Sequence, residues 1–369
     1  MKIAILGTRG IPNHYGGFEQ FAEFFSVYLV QKGHEVYCYN SHNHKFQEKT
    51  FKGVNLIHIH DPEYKYGTFG QFIYDYNCII DSRKRNFDII LQLGYTSNSI
   101  WFFLMPKKAI NIINMDGLEW KRSKYSKPVQ QFLKFAERLA AISGDYLVAD
   151  SLGIQKFLKQ RYNKESTYIA YGAHVFNNPN EAILEEYKVE KNNFNMIMAR
   201  FEPENNLDMV LEGVAINSED KTPILVIGNH NTKHGEYLKN KFKTNQNIRF
   251  LGGIYNIEHL DNLRYFSNLY FHGHSVGGTN PSLLEAMASQ ALVIAHDNDF
   301  NKGVLQENAY YFGNSQEVKN ILEKIKKIDN LPMVQNNYIA IEKNFNWNKI
   351  NDEYLQLFEE CFSRHQARK

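Results

Sequence analysis

Cysteine is scarce in this chain of 369 residues, with three in all, Cys38, Cys78 and Cys361. They are scattered, odd in number and lack metal-site spacing, which argues against a disulfide framework and predicts small core residues in a reducing compartment. Long apolar runs are also missing. The most apolar windows, such as Val27 to Val30 and Leu91 to Leu104, are broken by polar residues well short of the ~20 needed to span a bilayer. Met1-Lys-Ile-Ala-Ile-Leu-Gly7 holds one charge and a short apolar run that stops at glycine, so no secretory leader is expected. A large charge of one sign is absent too. The formal net charge of +2 excludes a strongly basic nucleic-acid binder on global grounds, and no nucleic-acid partner is expected. A cytoplasmic protein is predicted, with any membrane contact peripheral.

What the chain does have is alternation. Strands are expected at Ile3–Leu6, Glu35–Tyr39, Asn55–Ile59, Asp88–Leu91, Ala109–Ile113, Tyr146–Ala149 and Ser166–Ala170. Helices are expected between them, at Phe18–Gln31, Phe69–Arg83, Ser97–Leu104, Val129–Ala141 and Ile154–Arg161. This rhythm is that of an α/β protein with a parallel, doubly wound sheet. From Gly172 to Phe194 the chain turns rich in Asn, Glu and Lys, which reads as a link with a short surface helix. A second alternation follows, with strands at Met196–Ala199, Ile224–Ile227, Ile248–Leu251, Leu269–Phe271 and Leu292–Ala295. Two Rossmann-like domains are therefore predicted, over 1–172 and 173–346. The last helix carries Ile350, Tyr354, Leu355, Leu357 and Phe358 on one stripe, so the segment 347–369 is expected to pack back on the first domain.

Two glycine-bearing loops follow strands and precede helices. In His272-Gly-His-Ser-Val-Gly-Gly-Thr-Asn-Pro-Ser-Leu-Leu-Glu-Ala-Met-Ala288, Asn280 is suited to N-cap a helix with Pro281 at its first position. The amides of that first turn are expected to stay free for an anion, with Leu283, Leu284 and Met287 turned to the core and Glu285 on a flank. Gly7-Thr-Arg-Gly-Ile-Pro-Asn-His-Tyr-Gly-Gly17 is the other loop, and Gly16-Gly17 at the start of a helix gives a second anion site to which Arg9 could add charge. The dinucleotide fingerprint G-x-G-x-x-G is absent, and no acidic residue ends the second strand, so an NAD enzyme is disfavoured. Arg200 lies just past a strand and before a helix, where a guanidinium can grip a diphosphate; the competing reading pairs it with Glu202 or Glu204. Asp297-Asn-Asp299 mimics a D-x-D metal motif but reads as turn formers, and the pairs His272/His274 and His58/His60 lack a third ligand, so no metal is expected. Basic residues interleave with Trp120, Tyr125 and Phe132 from Trp120 to Lys134, a pattern suited either to an anionic membrane surface or to an ordinary solvated face.

Taken together, these motifs resemble a GT-B glycosyltransferase of the retaining family-4 type, over nearly the whole chain. Gly-Thr-Arg-Gly-Ile-Pro with Tyr15-Gly-Gly-Phe-Glu19, Asp116-Gly-Leu-Glu-Trp-Lys-Arg122 and His272-Gly-His-Ser-Val-Gly-Gly-Thr-Asn-Pro281 resemble its bacterial rhamnosyltransferase subgroup. The resemblance implies two domains facing a central crevice. Its donor side would comprise Gly16, Gly17, Arg200, Asn205, Gly278, Thr279, Asn280 and Glu285, with Glu285 on the ribose and no further cofactor. The acceptor side would comprise Arg9, His14, Tyr15 and Trp120, with Asp116, Glu119 and Gly17 nearest the reacting centre; Asp116 reads equally as a loop cap. The implied reaction moves rhamnose from dTDP-rhamnose, with retention, onto a lipid-diphosphate-linked sugar for capsule, O-antigen or cell-wall polysaccharide, at the cytoplasmic membrane face. The chain departs from the broad family at Gly277, where a first glutamate is usual, and at Asn205, where a basic residue is usual. A histidine usual near Asp116, which in the wider family contacts the sugar's 6-hydroxyl, is also replaced, as suits a 6-deoxy sugar. The rival readings are a nucleotide-sugar 2-epimerase of the same fold and a non-catalytic nucleotide-sugar-binding subunit.

Overall fold

A computed structural model describes residues 1–122, 124–217 and 219–367. Packing divides the chain into two compact units. The first takes Met1–Trp120, Tyr125–Tyr171 and the stretch from Trp347, whereas Lys121–Lys124 groups with Gly172–Asn346 in the second. Residues 368 and 369, the end of the expected C-terminal segment, lie outside the described residues.

The first unit is built on an eight-stranded sheet of order β3-β4-β2-β1-β5-β6-β7-β8. Its strands are β1 (Lys2–Leu6), β2 (Glu35–Ser41), β3 (Thr50–Phe51), β4 (Val54–Ile59), β5 (Ile89–Leu93), β6 (Ile110–Asn114), β7 (Tyr146–Ala149) and β8 (Thr167–Tyr168). All pairs are parallel except β3 with β4. The helices are α1 (Gly17–Gln31), α2 (Glu63–Tyr66), α3 (Thr68–Ser82), α4 (Lys127–Ser143) and α5 (Leu152–Tyr162). Strands β1 and β5 are largely apolar because helices cover both faces of the sheet, which leaves no solvated side for polar residues. Where a helix was expected at Ser97–Leu104, the chain forms a 3-10 turn over Ser99–Leu104. Pro106 forces extended backbone on Met105, so the turn cannot grow into a longer helix.

The second unit has a six-stranded parallel sheet of order β11-β10-β9-β12-β13-β14. Its strands are β9 (Asn195–Met198), β10 (Ile224–Ile227), β11 (Ile248–Gly252), β12 (Leu269–His272), β13 (Val293–His296) and β14 (Tyr310–Phe312). After α6 (Leu184–Tyr187) come α7 (Leu207–Ile216), α8 (Lys233–Lys241), α9 (Ile257–Phe266), α10 (Pro281–Ala288), α11 (Asp299–Leu305), α12 (Ser315–Lys324) and α13 (Leu331–Asn344). The short strands Thr50–Phe51 and Tyr310–Phe312 have no counterpart in the sequence reading, because two or three residues are too few to show a period.

The C-terminal helix α14 (Trp347–Gln366) belongs to the first unit. Its apolar stripe is buried, and Tyr354 packs at a tilt against Phe21 and Phe25 of α1 with ring centroids at 4.7 and 5.2 Å. Asn114, at the end of β6, donates to the Tyr354 hydroxyl at 2.8 Å. Cys38, Cys78 and Cys361 are buried and unpaired, as core residues should be.

Candidate active site

In the second sheet the chain order reverses at β9, which has β10 on one side and β12 on the other. Ligands of such sheets bind outside the carboxyl ends of the strands at that switch point. The loops there are the one after β9, with Arg200, and the glycine-rich one after β12. They are laced together. Ser275 donates to the Glu204 carbonyl from its amide at 3.0 Å and from its hydroxyl at 2.8 Å, and the Asn206 amide donates to the Gly273 carbonyl at 2.8 Å. Gly273 is required by this approach, since a Cβ there would lie 2.1 Å from the Asn205 carbonyl oxygen.

Arg200 is exposed and makes no ion pair among the described residues, so the competing pairing with Glu202 or Glu204 does not form. Asn205 is different. It is 3 % exposed, and its side-chain amide donates to the Arg200 carbonyl at 2.8 Å. The expected ligand contact at Asn205 is therefore corrected to a positioning one, which fixes the backbone that carries the arginine.

Asn280 caps α10 as expected, accepting from the Ser282 amide at 3.0 Å and the Ser282 hydroxyl at 2.8 Å. That bond and Leu283 N–H to the Asn280 carbonyl use donors expected to stay free, and Pro281 has none. The amides of Gly277 and Gly278 have no acceptor among the described residues, so anion donors are available in the loop as well as at the helix turn. Thr279, one residue on, is buried. Gly277 has φ +137° with open space around it. A glutamate there would fit sterically but would strain the backbone.

Leu283, Leu284 and Met287 are buried, and Glu285 stays partly exposed on its flank. Its carboxylate is held by Arg264 of α9, at 2.5 Å from Nη2 to Oε2. Arg264 is 1 % exposed and also binds Asp261 at 2.9 Å, while Ser289 donates to the same Asp261 at 3.0 Å. This cluster was not legible from sequence, because Arg264 reads as one more charge on an amphipathic helix. His272 and His274 stack with ring centroids 4.4 Å apart. Burial, then the positive field of Arg200 and Arg122, pushes His274 down to about 3, so it is neutral at pH 7.

In the first sheet the switch point lies between β1 and β5. The loop after β1 is pinned from α1: Glu19 accepts from the Arg9 amide at 2.9 Å and Glu23 from the Asn13 amide at 2.8 Å. Gly16 N-caps α1, and the Tyr171 hydroxyl donates to the Gly17 carbonyl. Arg9 is not the open cation expected there. Its guanidinium binds Glu63 through Nε at 2.9 Å and Nη2 at 2.7 Å, with the exposed Tyr15 ring stacked on it at 3.9 Å. His14 is exposed beside His44, with ring centroids at 5.4 Å.

Asp116 and Glu119 follow β6 in a loop held by Tyr95, whose hydroxyl donates to the Gly117 carbonyl at 2.9 Å. Trp120 is turned onto α4, its indole N–H donating to Glu137 at 3.0 Å and Lys134 lying 4.4 Å over its ring. Glu137 also accepts from the Tyr162 hydroxyl at 2.7 Å. The expected acceptor contact at Trp120 thus has its one donor already engaged.

Asp75 on α3 was not singled out by sequence. It is buried and accepts from the Ser97 hydroxyl, and burial, against that hydrogen bond, raises its pKa from 3.8 to about 7; Asp61 and Glu63 push the same way and Arg9 opposes. The folded state therefore holds this proton more tightly than the unfolded chain. Stability from this group is full below pH 3.8 and is lost as pH rises through about 7. Between roughly pH 5.5 and 8 the loss should be ~2 kcal/mol, and Asp75→Asn should flatten it. Urea denaturation of both proteins at the two pH values reads this directly; equal slopes would refute it.

The fold is that of a two-domain GT-B-like α/β protein, with parallel sheets and loops meeting at each sheet's switch point. It superposes on sucrose-phosphate synthase from Thermosynechococcus elongatus with a TM-score of 0.81 at 14% identity, covering 98% of this chain and 99% of that one. Anabaena HepE in complex with UDP-glucose gives 0.70 at 15% identity over 99% and 100%. Trehalose 6-phosphate synthase from Burkholderia multivorans gives 0.73 at 8% identity over 100% and 98%. At these identities the likeness is one of fold. Residues 180–345 match the family of glycosyl transferases group 1, and residues 1–174 match a domain of unknown function, DUF1972. An uncharacterized glycosyltransferase of Methanocaldococcus jannaschii is 22% identical over 97% of this chain and 98% of its own length.

Proposed function

We propose that this protein is a glycosyltransferase of group 1 that moves a hexosyl group, rhamnose from dTDP-rhamnose, with retention onto a lipid-diphosphate-linked sugar. The observation that carries the donor site is Arg200: an exposed guanidinium at the switch point with no ion pair among the described residues, on a loop fastened to the one bearing the Gly277 and Gly278 amides. These groups suit a leaving diphosphate, whose negative charge grows as the glycosidic bond breaks. HepE, a structural neighbour, binds UDP and UDP-glucose, which supports a nucleotide sugar as donor.

In the proposed chemistry the acceptor hydroxyl attacks the anomeric carbon from the face the diphosphate leaves, and a diphosphate oxygen takes the hydroxyl proton. The protein then supplies position and charge rather than a strong base. Glu285, fixed by Arg264, is assigned to the ribose, and Asp116 or Glu119 to orienting the acceptor.

Thermal shifts with dTDP-rhamnose, UDP-glucose, UDP-GlcNAc and GDP-mannose test the donor, and the largest shift is expected with dTDP-rhamnose. A clear preference for GDP-mannose would contradict that assignment. Incubation with an undecaprenyl-diphosphate-linked sugar tests the reaction. Epimerised nucleotide sugar formed without acceptor would overturn transfer to the lipid, and binding with no turnover on any donor would favour a binding subunit.

A further inference from the structure

The first unit exposes aromatic rings on three neighbouring elements. Phe69 on α3 is 65 % exposed, Phe103 in the 3-10 turn 63 % and Phe135 on α4 53 %, far more than a core-forming phenylalanine tolerates. The three elements are joined to one another. The Trp101 indole donates to the Phe72 carbonyl at 2.9 Å, tying the 3-10 turn to α3, and the Phe72 and Phe132 rings meet at 5.6 Å, tying α3 to α4. Phe69 in turn stacks on Phe72 at 6.1 Å.

The charge on these elements has one sign. Lys65, Lys107, Lys108, Lys127 and Lys134 are exposed. Every carboxylate of α2, α3, the 3-10 turn and α4 is engaged or buried: Glu63 binds Arg9, Asp81 binds Arg85, and Asp75 and Glu137 are buried. Exposed rings framed by lysines, with the acids withdrawn, match a surface that is apolar below a layer of negative charge. We propose that this face docks the protein on an anionic phospholipid bilayer, with Phe69, Phe103 and Phe135 entering the interface and the lysines meeting headgroups.

The face shares Lys127 and Lys134 with the stretch between Trp120 and Lys134 that sequence suggested but not Trp120, which is turned inward onto Glu137. The proposal gives a place to the lipid-linked acceptor proposed above, but its test uses vesicles without any acceptor, so the two can fail separately.

Co-sedimentation of the full chain with phosphatidylcholine vesicles, with and without phosphatidylglycerol, tests it. Binding is expected to the anionic vesicles alone and to weaken as salt is raised. F69S/F103S/F135S and, separately, K65E/K107E/K108E should each lower that binding at least about tenfold while the thermal shift given by nucleotide sugar is kept. No binding, or equal binding to neutral vesicles, would overturn the proposal. A dimer in sedimentation velocity that the phenylalanine variant dissolves would overturn it too, by assigning the face to a second copy of the chain.

Discussion

Arg264→Met should destabilise the second unit by ~3–5 kcal/mol, the cost typical of removing one partner from a buried ion pair. Arg264 is 1 % exposed and satisfies two carboxylates, Asp261 and Glu285, whose side chains are 20% and 31% exposed. Without it, two negative groups face each other across α9 and α10. Burial already raises the pKa of Asp261 despite Arg264, so the pair would in part escape by protonation, which places the loss toward the lower end of the range. Arg264→Lys should recover part of the stability, because an ammonium keeps the charge but cannot serve both carboxylates with a planar fork. Chemical denaturation reads these differences. A loss below ~1 kcal/mol for Arg264→Met would show that the cluster is not what holds α9 against α10. Should the methionine variant fail to fold, Glu285→Gln separates the roles, since it leaves Arg264 paired with Asp261 and should weaken nucleotide binding without unfolding the unit.

Arg200→Ala should act in the opposite way, lowering nucleotide-sugar affinity ~10- to 150-fold, equivalent to ~1.5–3 kcal/mol for a charge-assisted contact, with stability nearly unchanged. The reason is its exposure and its lack of an ion pair among the described residues. Calorimetric titration with the preferred nucleotide sugar measures the first quantity and thermal melting the second. Unchanged affinity would mean that the diphosphate lies elsewhere, and a large drop in melting temperature would mean that the guanidinium has a structural partner. Asn205→Ala offers an internal contrast. It frees the Arg200 carbonyl and loosens the loop, so it should weaken binding less than Arg200→Ala and cost more stability.

Much of this was legible in the residues themselves. The strand and helix alternation depends on local apolar periods, and those survive in the fold from Lys2–Leu6 to Val293–His296. Asn280 and Pro281 fix the start of α10, because a cap needs a side-chain oxygen and a prearranged φ within three residues. The stripe on the last helix likewise reads as core and is buried.

Other features were invisible because their partners are far apart in sequence. Arg9 looked available until Glu63 arrived from α2, and Trp120 until Glu137 arrived from α4. Arg264 and Glu285 are 21 positions apart on separate helices.

The sequence alone therefore determined the alternating elements, the start of α10 and the two glycine-bearing loops between strand and helix, all set by interactions within a few residues. The tertiary structure decided which charges are spent and which remain. Only sheet order puts β9 beside β12, so that Arg200 and the Gly277 and Gly278 amides share one switch point, and only packing commits Arg264 to Glu285. Burial and pairing are long-range properties, and they separate a cation open to a ligand from one that holds the fold.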